Sequence, residues 1–402
     1  MRVLQINATY GYASTGIIVK DISDMLSKNG HEAFYAYQSR MGASGNGYRI
    51  GNKIDWKLHA LFCRLFGKQG YYSRHATKGL IKHIEKIKPD IVHLHNLHSN
   101  YVHLNLLLNY LGKKDIATVI TLHDCWYFTG KCFHYIDVGC QRFTIGCGNC
   151  VKKKAPPKSL FFDVSKKVLR DRYKYLSKIP RLQIVGCSDW ICSEAKKSIL
   201  KDFNITRIYN GVDIEVFKPY KQNELKEKYD GNCMYIMGMA NKWLLPENKS
   251  FFDAVLEILT DERKLILIGC RENQIEGLKA LSKNIIPVDF IRNREVLAKY
   301  YSMVDVFVNV THADTLPTVN MESICCGTPV LTYDSCGSPE LILKGCGKVE
   351  KENNIEGVIS DLKQGFRKID TYVLEQARAK YNKDVCYKEY LSMYQSVLEK
   401  KG

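Results

Sequence analysis

Short apolar runs alternate with amphipathic stretches along this chain, and the alternation comes in two blocks. Val3–Asn7 is a compact apolar run with strand character, followed by the Gly/Ser/Thr stretch Tyr10–Gly16. Ile17–Asn29 then places Ile18, Ile22, Met25 and Leu26 at helical spacing ahead of Gly30. His31–Tyr37 reads as a second strand, so the chain opens strand, loop, helix, strand. A basic helix is predicted at Lys78–Lys88, ending before Pro89. Further strands are predicted at Asp90–His95, Ala117–Leu122 and Ile184–Ser188. Their apolar residues crowd together instead of alternating, as they do in a parallel sheet covered on both faces. The second block repeats the scheme. Strands are predicted at Met234–Met239, Lys264–Ile268, Val304–Val310 and Pro329–Tyr333, with helices at Ser250–Leu259, Glu295–Tyr301 and Val319–Cys325.

Two such blocks predict two α/β domains with parallel sheets. The periodicity breaks over about Arg207–Asp230, where Asn210-Gly211, Phe217-Lys218-Pro219 and a charged stretch occur. The expected division is 1–207, 208–382, and a C-terminal helix over 383–402. No repeat or low-complexity tract is evident.

Composition narrows the class. The 402 residues are 45% apolar and 25% charged, enough for two ordinary globular cores. No run reaches the roughly 18 apolar residues of a membrane-spanning helix. The opening residues read as a strand and not as an export signal, so the 15 cysteines are expected as free thiols in a reducing cytosol. The net charge of +17 is one-sided. Residues 1–180 hold 28 Lys and Arg against 11 Asp and Glu, whereas the remainder holds 31 of each. The N-terminal part is therefore expected to meet something polyanionic.

The segment His312–Val330 carries the most chemistry. A strand ends at Val310, a loop follows, and a helix begins near Pro317. A helix start offers unpaired N–H groups and the positive end of the dipole, which suit a diphosphate. Leu316, Pro317 and Thr318 stand at that start. Asp314 in the loop and Glu322 in the helix frame it, and carboxylates hydrogen-bond vicinal diols well. Either acid alone would read as a capping or surface residue. With Gly327-Thr328-Pro329-Val330 and Gly337-Ser338-Pro339-Glu340 behind them, they read as a site.

Asp314-x7-Glu322 with these flanks resembles the C-terminal signature of group 1 (family 4) retaining glycosyltransferases, whose fold is GT-B: two Rossmann-like domains facing a central cleft. The family has Glu where Asp314 stands. The likeness extends over nearly the whole chain, including Asn210-Gly211-Val212-Asp213 and the loop Tyr10–Gly16. It implies that Gly16 lies near the donor diphosphate, that His123 approaches the donor sugar, and that Asp314 and Glu322 read hydroxyls. It also implies basic residues on the first loop of the second domain. Lys249 matches the family's Lys, the family's Arg is absent, and Lys242 is its nearest substitute. Lys242 would suit a solvated surface as well, and Lys249 less so. The nucleotide base is expected near Ile291-Arg292. No Asp-x-Asp metal motif is evident, so the lysines are expected to do the work of a catalytic metal, with no cofactor required.

Cys132, Cys140, Cys147 and Cys150 follow a C-x7-C-x6-C-x2-C spacing. That spacing suits a structural zinc, and it also suits plain thiols in a Cys-rich protein. Trp56–Lys68 places Leu58, Leu61, Phe62, Leu65 and Phe66 on one face among basic residues, and Lys152–Arg181 adds Leu160-Phe161-Phe162. Such stretches suit an anionic membrane interface, or a face packed on the domain core. No nucleic-acid motif accompanies them. The expected activity is a metal-independent, retaining hexosyltransferase. It takes a nucleotide-sugar donor and a lipid-linked or polysaccharide acceptor in cell-surface glycan synthesis, peripherally at the inner membrane face. The alternatives are a nucleotide-sugar epimerase and a non-catalytic sugar-nucleotide-binding protein of the same fold.

Overall fold

A computed structural model describes residues 1–41, 45–220, 224–225, 229 and 233–400. Most of the charged end of the expected boundary stretch and the last two residues of the expected C-terminal helix lie outside them. The chain divides into two compact units, Met1–Asn210 with Cys386–Gly402, and Gly211–Val385.

The first unit is built on a seven-stranded sheet: β1 (Arg2–Tyr10), β2 (Glu32–Arg40), β3 (Gly47–Arg49), β4 (Ile91–Leu94), β5 (Ala117–Leu122), β6 (Leu182–Gly186) and β7 (Ile205–Arg207). Every pairing is parallel, in the order β3-β2-β1-β4-β5-β6-β7. The order reverses between β1 and β4, where connections diverge and open sheets hold ligands. The helix Ala13–Lys28 begins earlier than its apolar spacing predicts, so the loop after β1 shrinks to Gly11-Tyr12. Gly11 allows the sharp turn. It sits at φ +76°, and a Cβ there would lie 2.6 Å from the Met41 carbonyl oxygen. Gly16, expected in a loop, stands in the first turns of the helix against Thr9.

The helix Lys383–Glu399 belongs mostly to this unit. Tyr387, Tyr390 and Tyr394 are buried in one core with Val3, Ile22, Ile91 and Val119. The Tyr394 hydroxyl meets His93 Nδ1 at 2.7 Å, and the Tyr390 hydroxyl meets Thr121 Oγ1 at 2.9 Å. Polar tips on apolar rings thus bind the helix to β4 and β5 without leaving buried groups unpaired.

The second unit has six parallel strands: β8 (Met234–Met239), β9 (Arg263–Cys270), β10 (Ile285–Asp289), β11 (Val306–Asn309), β12 (Val330–Tyr333) and β13 (Gly347–Glu350). Their order is β10-β9-β8-β11-β12-β13, with the reversal between β8 and β11. The core gathers Ile236, Trp243, Phe251, Leu265, Val308 and Leu331. Both strand patterns are mostly buried on both faces, which explains the continuous apolar runs in the sequence.

Candidate functional site

The second unit concentrates its candidate residues where the strand order reverses. Past β8 the chain enters the short helix Ala240–Trp243, and past β11 it runs through Val310–Pro317 into the helix Thr318–Cys325. Asn248 ties the two connections. Its Nδ2 donates to the Lys242 carbonyl at 2.9 Å and to the Val310 carbonyl at 3.1 Å, and its Oδ1 meets His312 Nε2 at 2.7 Å. Lys242 Nζ consequently lies 3.2 Å from Thr311 Oγ1. Lys249 goes elsewhere. It is 75% exposed and ion-paired with Asp253 at 2.5 Å along its own helix. Of the two expected lysines, only Lys242 reaches the helix-start loop.

That loop is itself held in shape. The Leu316 N–H donates to Asp314 Oδ1 at 3.2 Å, and the Gly337 N–H donates to the Asp314 carbonyl at 3.2 Å. Asp314 therefore turns the loop and ties it to Ser335–Glu340. Leu316 and Pro317 are buried and Thr318 is half-buried. At the far end of the helix, Arg378 Nη1 donates to the Cys325 carbonyl at 3.1 Å, satisfying a C-terminal orphan. Three buried polar atoms around the near end have no partner among the described residues: Thr315 Oγ1, Asn320 Nδ2 and Ser338 Oγ. Unsatisfied buried groups are costly in a finished fold, and a ligand with hydroxyl or phosphate oxygens would satisfy them.

Glu322 is half-buried in this helix. Burial pushes its carboxyl up to about 7, against the opposing pulls of Arg294 and the Tyr301 hydroxyl. Tyr301 Oη approaches Glu322 Oε2 at 3.5 Å. Arg294 and Tyr301 escape sequence reasoning because they lie on another helix, Arg294–Met303, more than 20 residues away. Arg292, expected to read the base, is exposed just before that helix. A separate concavity of about 210 Å³ lies beside Lys242, lined by Ala240, Asn241, Gly269, Arg271 and Gln274.

In the first unit, His123 directly follows β5 and is half-buried. Its Nε2 lies 3.0 Å from Nδ1 of His95, which follows β4. His95 Nε2 in turn lies 3.1 Å from Oε1 of Gln5 on β1. Burial holds both histidines well below the usual imidazole value, His123 at about 4. The adjacent Asp124 is 2.9 Å from His98 Nε2 and accepts the Trp126 N–H at 2.8 Å. Burial pushes its carboxyl up, but His98 and that N–H outweigh it and hold it low. Gly16 faces Thr9, with a hypothetical Cβ 2.6 Å from Thr9 Oγ1. The helix thus packs close onto the carboxyl end of β1.

The sequence leaves Cys132, Cys140, Cys147 and Cys150 open between a structural zinc site and plain thiols. Among the described residues no three His, Cys, Asp or Glu side chains converge as a metal would need. The thiols take other partners instead. Cys132 and Cys150 hydrogen-bond to each other, holding Cys150 low and Cys132 high, and Cys147 Sγ accepts the Gly130 N–H at 3.3 Å. No described cysteine forms a disulfide.

The amphipathic helix Lys53–Phe66 turns His59 and Cys63 inward. Leu58, Leu61, Phe62 and Phe66 remain exposed, at 38–47%. Phe162 stacks on Phe66, and with Leu160 and Phe161 it extends this face. The apolar stripe is thus a surface patch and not core. No described helix is long and apolar enough to cross a membrane.

Comparison with known proteins matches this arrangement to a family. The model described as Glycosyltransferase Family 4 matches residues 15–216, and that described as Glycosyl transferases group 1 matches residues 240–365. A relative from Escherichia coli (strain K12), the putative colanic acid biosynthesis glycosyl transferase WcaC, is 23% identical, covering 99% of this chain and all of its own. Among solved structures, sucrose-phosphate synthase from Thermosynechococcus elongatus aligns with a TM-score of 0.69 at 14% identity, over 98% of both chains. Anabaena HepE in complex with UDP-glucose aligns with a TM-score of 0.63 at 14% identity, over 98% of this chain and 99% of its own. These structures share the GT-B fold.

Proposed function

The chain belongs to glycosyltransferase family 4, and from that premise we propose that it moves a hexose or related sugar from a nucleotide-sugar donor, with retention of anomeric configuration, to a lipid-linked or polysaccharide acceptor. The observation that carries the donor reading is the convergence of Lys242 and Thr311 beside a helix start ringed by unsatisfied Thr315, Asn320 and Ser338. As the anomeric bond breaks, negative charge grows on the leaving diphosphate. Lys242 and the N–H groups at the start of Thr318–Cys325 stabilise that charge from fixed positions. They supply the neutralisation for which a metal would otherwise be recruited. Asp314 and Glu322 hold sugar and ribose hydroxyls. No side chain serves as a covalent nucleophile, and the leaving phosphate takes the acceptor proton. The relative named for colanic acid and the neighbour holding UDP-glucose support this reading of acceptor and donor classes.

The acceptor is proposed to be presented at an anionic membrane surface. The support is the exposed patch Leu58, Leu61, Phe62, Phe66, Leu160, Phe161 and Phe162, flanked by Lys53, Lys57, Arg64, Lys68 and Lys158. Aromatic rings sink into the headgroup boundary, while lysines pair with lipid phosphates.

Hydrolysis of a panel of UDP-, GDP- and other nucleotide sugars by the purified protein tests the reading. Release of one nucleoside diphosphate, lost in Glu322→Ala and unaffected by EDTA, is the expected result. No release from any donor, together with no thermal shift by any nucleoside diphosphate, would overturn it.

A further inference from the structure

Two hydrogen bonds of open direction run from β1 to His123, Gln5 to His95 and His95 to His123, and the contacts at the far end of Gln5 resolve them in turn. Gln5 Nε2 lies 3.0 Å from the Val19 carbonyl oxygen and 2.7 Å from Ser23 Oγ. A carbonyl oxygen only accepts, so the nitrogen of the Gln5 amide must face Val19. Ser23 itself donates to that same carbonyl at 2.9 Å, leaving its oxygen to accept from Gln5. The Gln5 oxygen therefore faces His95 Nε2 at 3.1 Å, and that nitrogen must carry a proton. His95 is wholly buried, with no carboxylate against it, and burial holds it neutral. Its Nδ1 is then a bare lone pair. The only bond this nitrogen can make to His123 Nε2, 3.0 Å away, is one in which His123 donates. Backbone bonds fix the relay in place: the His95 N–H donates to the Ile6 carbonyl at 2.9 Å, and the Tyr127 hydroxyl donates to the His95 carbonyl at 2.8 Å.

We propose that His95, oriented by Gln5, is a positioning residue that locks His123 as the Nε2–H tautomer and so makes His123 Nδ1 an obligate hydrogen-bond acceptor for a hydroxyl of a substrate sugar. This rests on the reading that His123 approaches that sugar. The chemical class it selects is a sugar presenting a hydroxyl donor to Nδ1. A sugar whose corresponding oxygen is removed, or replaced by an acceptor such as fluorine, leaves Nδ1 without a partner. The polarity originates in a helix carbonyl two side chains away, and rotating either ring would break a buried bond.

Nitrogen NMR of the full-length protein labelled at histidine reads the tautomer directly and requires no variant beyond those used for assignment. His123 with a protonated Nε2 and a bare Nδ1 from pH 6 to 8 is the expected result. Nδ1–H, or an even mixture, overturns the proposal. In kinetics with the donor found by the hydrolysis panel, His95→Phe removes the acceptor for His123 Nε2–H. It should lower kcat at least tenfold while donor KM moves less than threefold. His95→Gln, whose amide can turn an N–H toward Gln5 and its oxygen toward His123, should recover most of that loss. Equal kcat in His95→Phe and wild type would overturn the positioning role. Wild-type turnover in His123→Ala would instead overturn the reading of His123 beneath it, whatever the NMR shows.

Discussion

Replacing Glu322 by Gln should stabilise the empty second unit above neutral pH and abolish turnover at the same time. The wild-type carboxyl is displaced from an ordinary 4.5 to about 7, chiefly by burial. A raised folded-state value means that the folded protein holds the proton more tightly than the unfolded chain. Its contribution is fully present below about pH 4.5 and is lost as pH rises through 7. At about 1.4 kcal/mol per pH unit, the displacement is worth about 3 kcal/mol by pH 8. The amide has no proton to lose, so the difference between Glu322→Gln and wild type should change by that amount between pH 4.5 and 8, in favour of the variant at high pH. In a unit of this size it corresponds to a relative shift of roughly 6–12 °C in the unfolding midpoint. Thermal unfolding at several pH values, resolving the transition of the second unit, measures it. A difference that stays flat across this window would refute the reasoning, because it would mean that Glu322 is hydrated or neutralised in the empty protein. A bound diol would accept the burden of solvating the carboxylate, so saturating nucleoside diphosphate should flatten the same curve.

Other outcomes follow from the same geometry. Lys242→Ala should lower kcat/KM for the donor by about 10- to 100-fold, the value of one charged contact. Lys249→Ala should fall within a fewfold of wild type, since its ammonium is exposed and paired with Asp253; steady-state kinetics that reversed this ranking would contradict the placement. Gly16→Ala gains up to about 1 kcal/mol of helix propensity but forces a Cβ to 2.6 Å from Thr9 Oγ1 and 3.1 Å from the Thr9 carbonyl carbon. Overpacking of about 1–3 kcal/mol should win, and a raised melting temperature of the first unit would show otherwise. Phe161→Ser with Phe162→Ser should strongly reduce cosedimentation with phosphatidylglycerol vesicles while leaving donor hydrolysis intact. Unchanged binding would remove the patch as the membrane contact.

The residue pattern alone carried the two-block α/β plan, because parallel strands buried on both faces leave unmistakable apolar runs. Asp314, Pro317 and Glu322 were legible as a group because a helix start compresses its chemistry into a few consecutive positions. The helix Leu104–Lys113 left little trace, since Leu104, Leu107, Leu108 and Leu111 are buried in a run rich in leucine whose period is hard to see. The expected loop through Gly16 was too long for a related reason. Ala13, Ser14 and Thr15 carry no apolar signal, and tertiary packing against Thr9 draws them into the helix.

Spacing and environment separate what the sequence determined from what folding decided. Motif residues within ten positions of each other share a local element, so the sequence alone placed Asp314 beside the helix of Glu322. Spacing could not show that Cys132 and Cys150 hydrogen-bond to each other, or that the stripe Leu58–Phe66 stays outside, because both depend on what lies opposite. Asn248 joining Lys242 to Val310, Arg294 and Tyr301 acting on Glu322, and Gln5 directing His95 toward His123 all rest on interactions between residues far apart in sequence, 90 positions in the case of Gln5 and His95. Parallel strands bring their carboxyl ends together only after every crossover helix has packed. The titration of Glu322 and the proton polarity of His123 therefore exist only in the tertiary structure, where burial removes the water that would otherwise make each side chain ordinary.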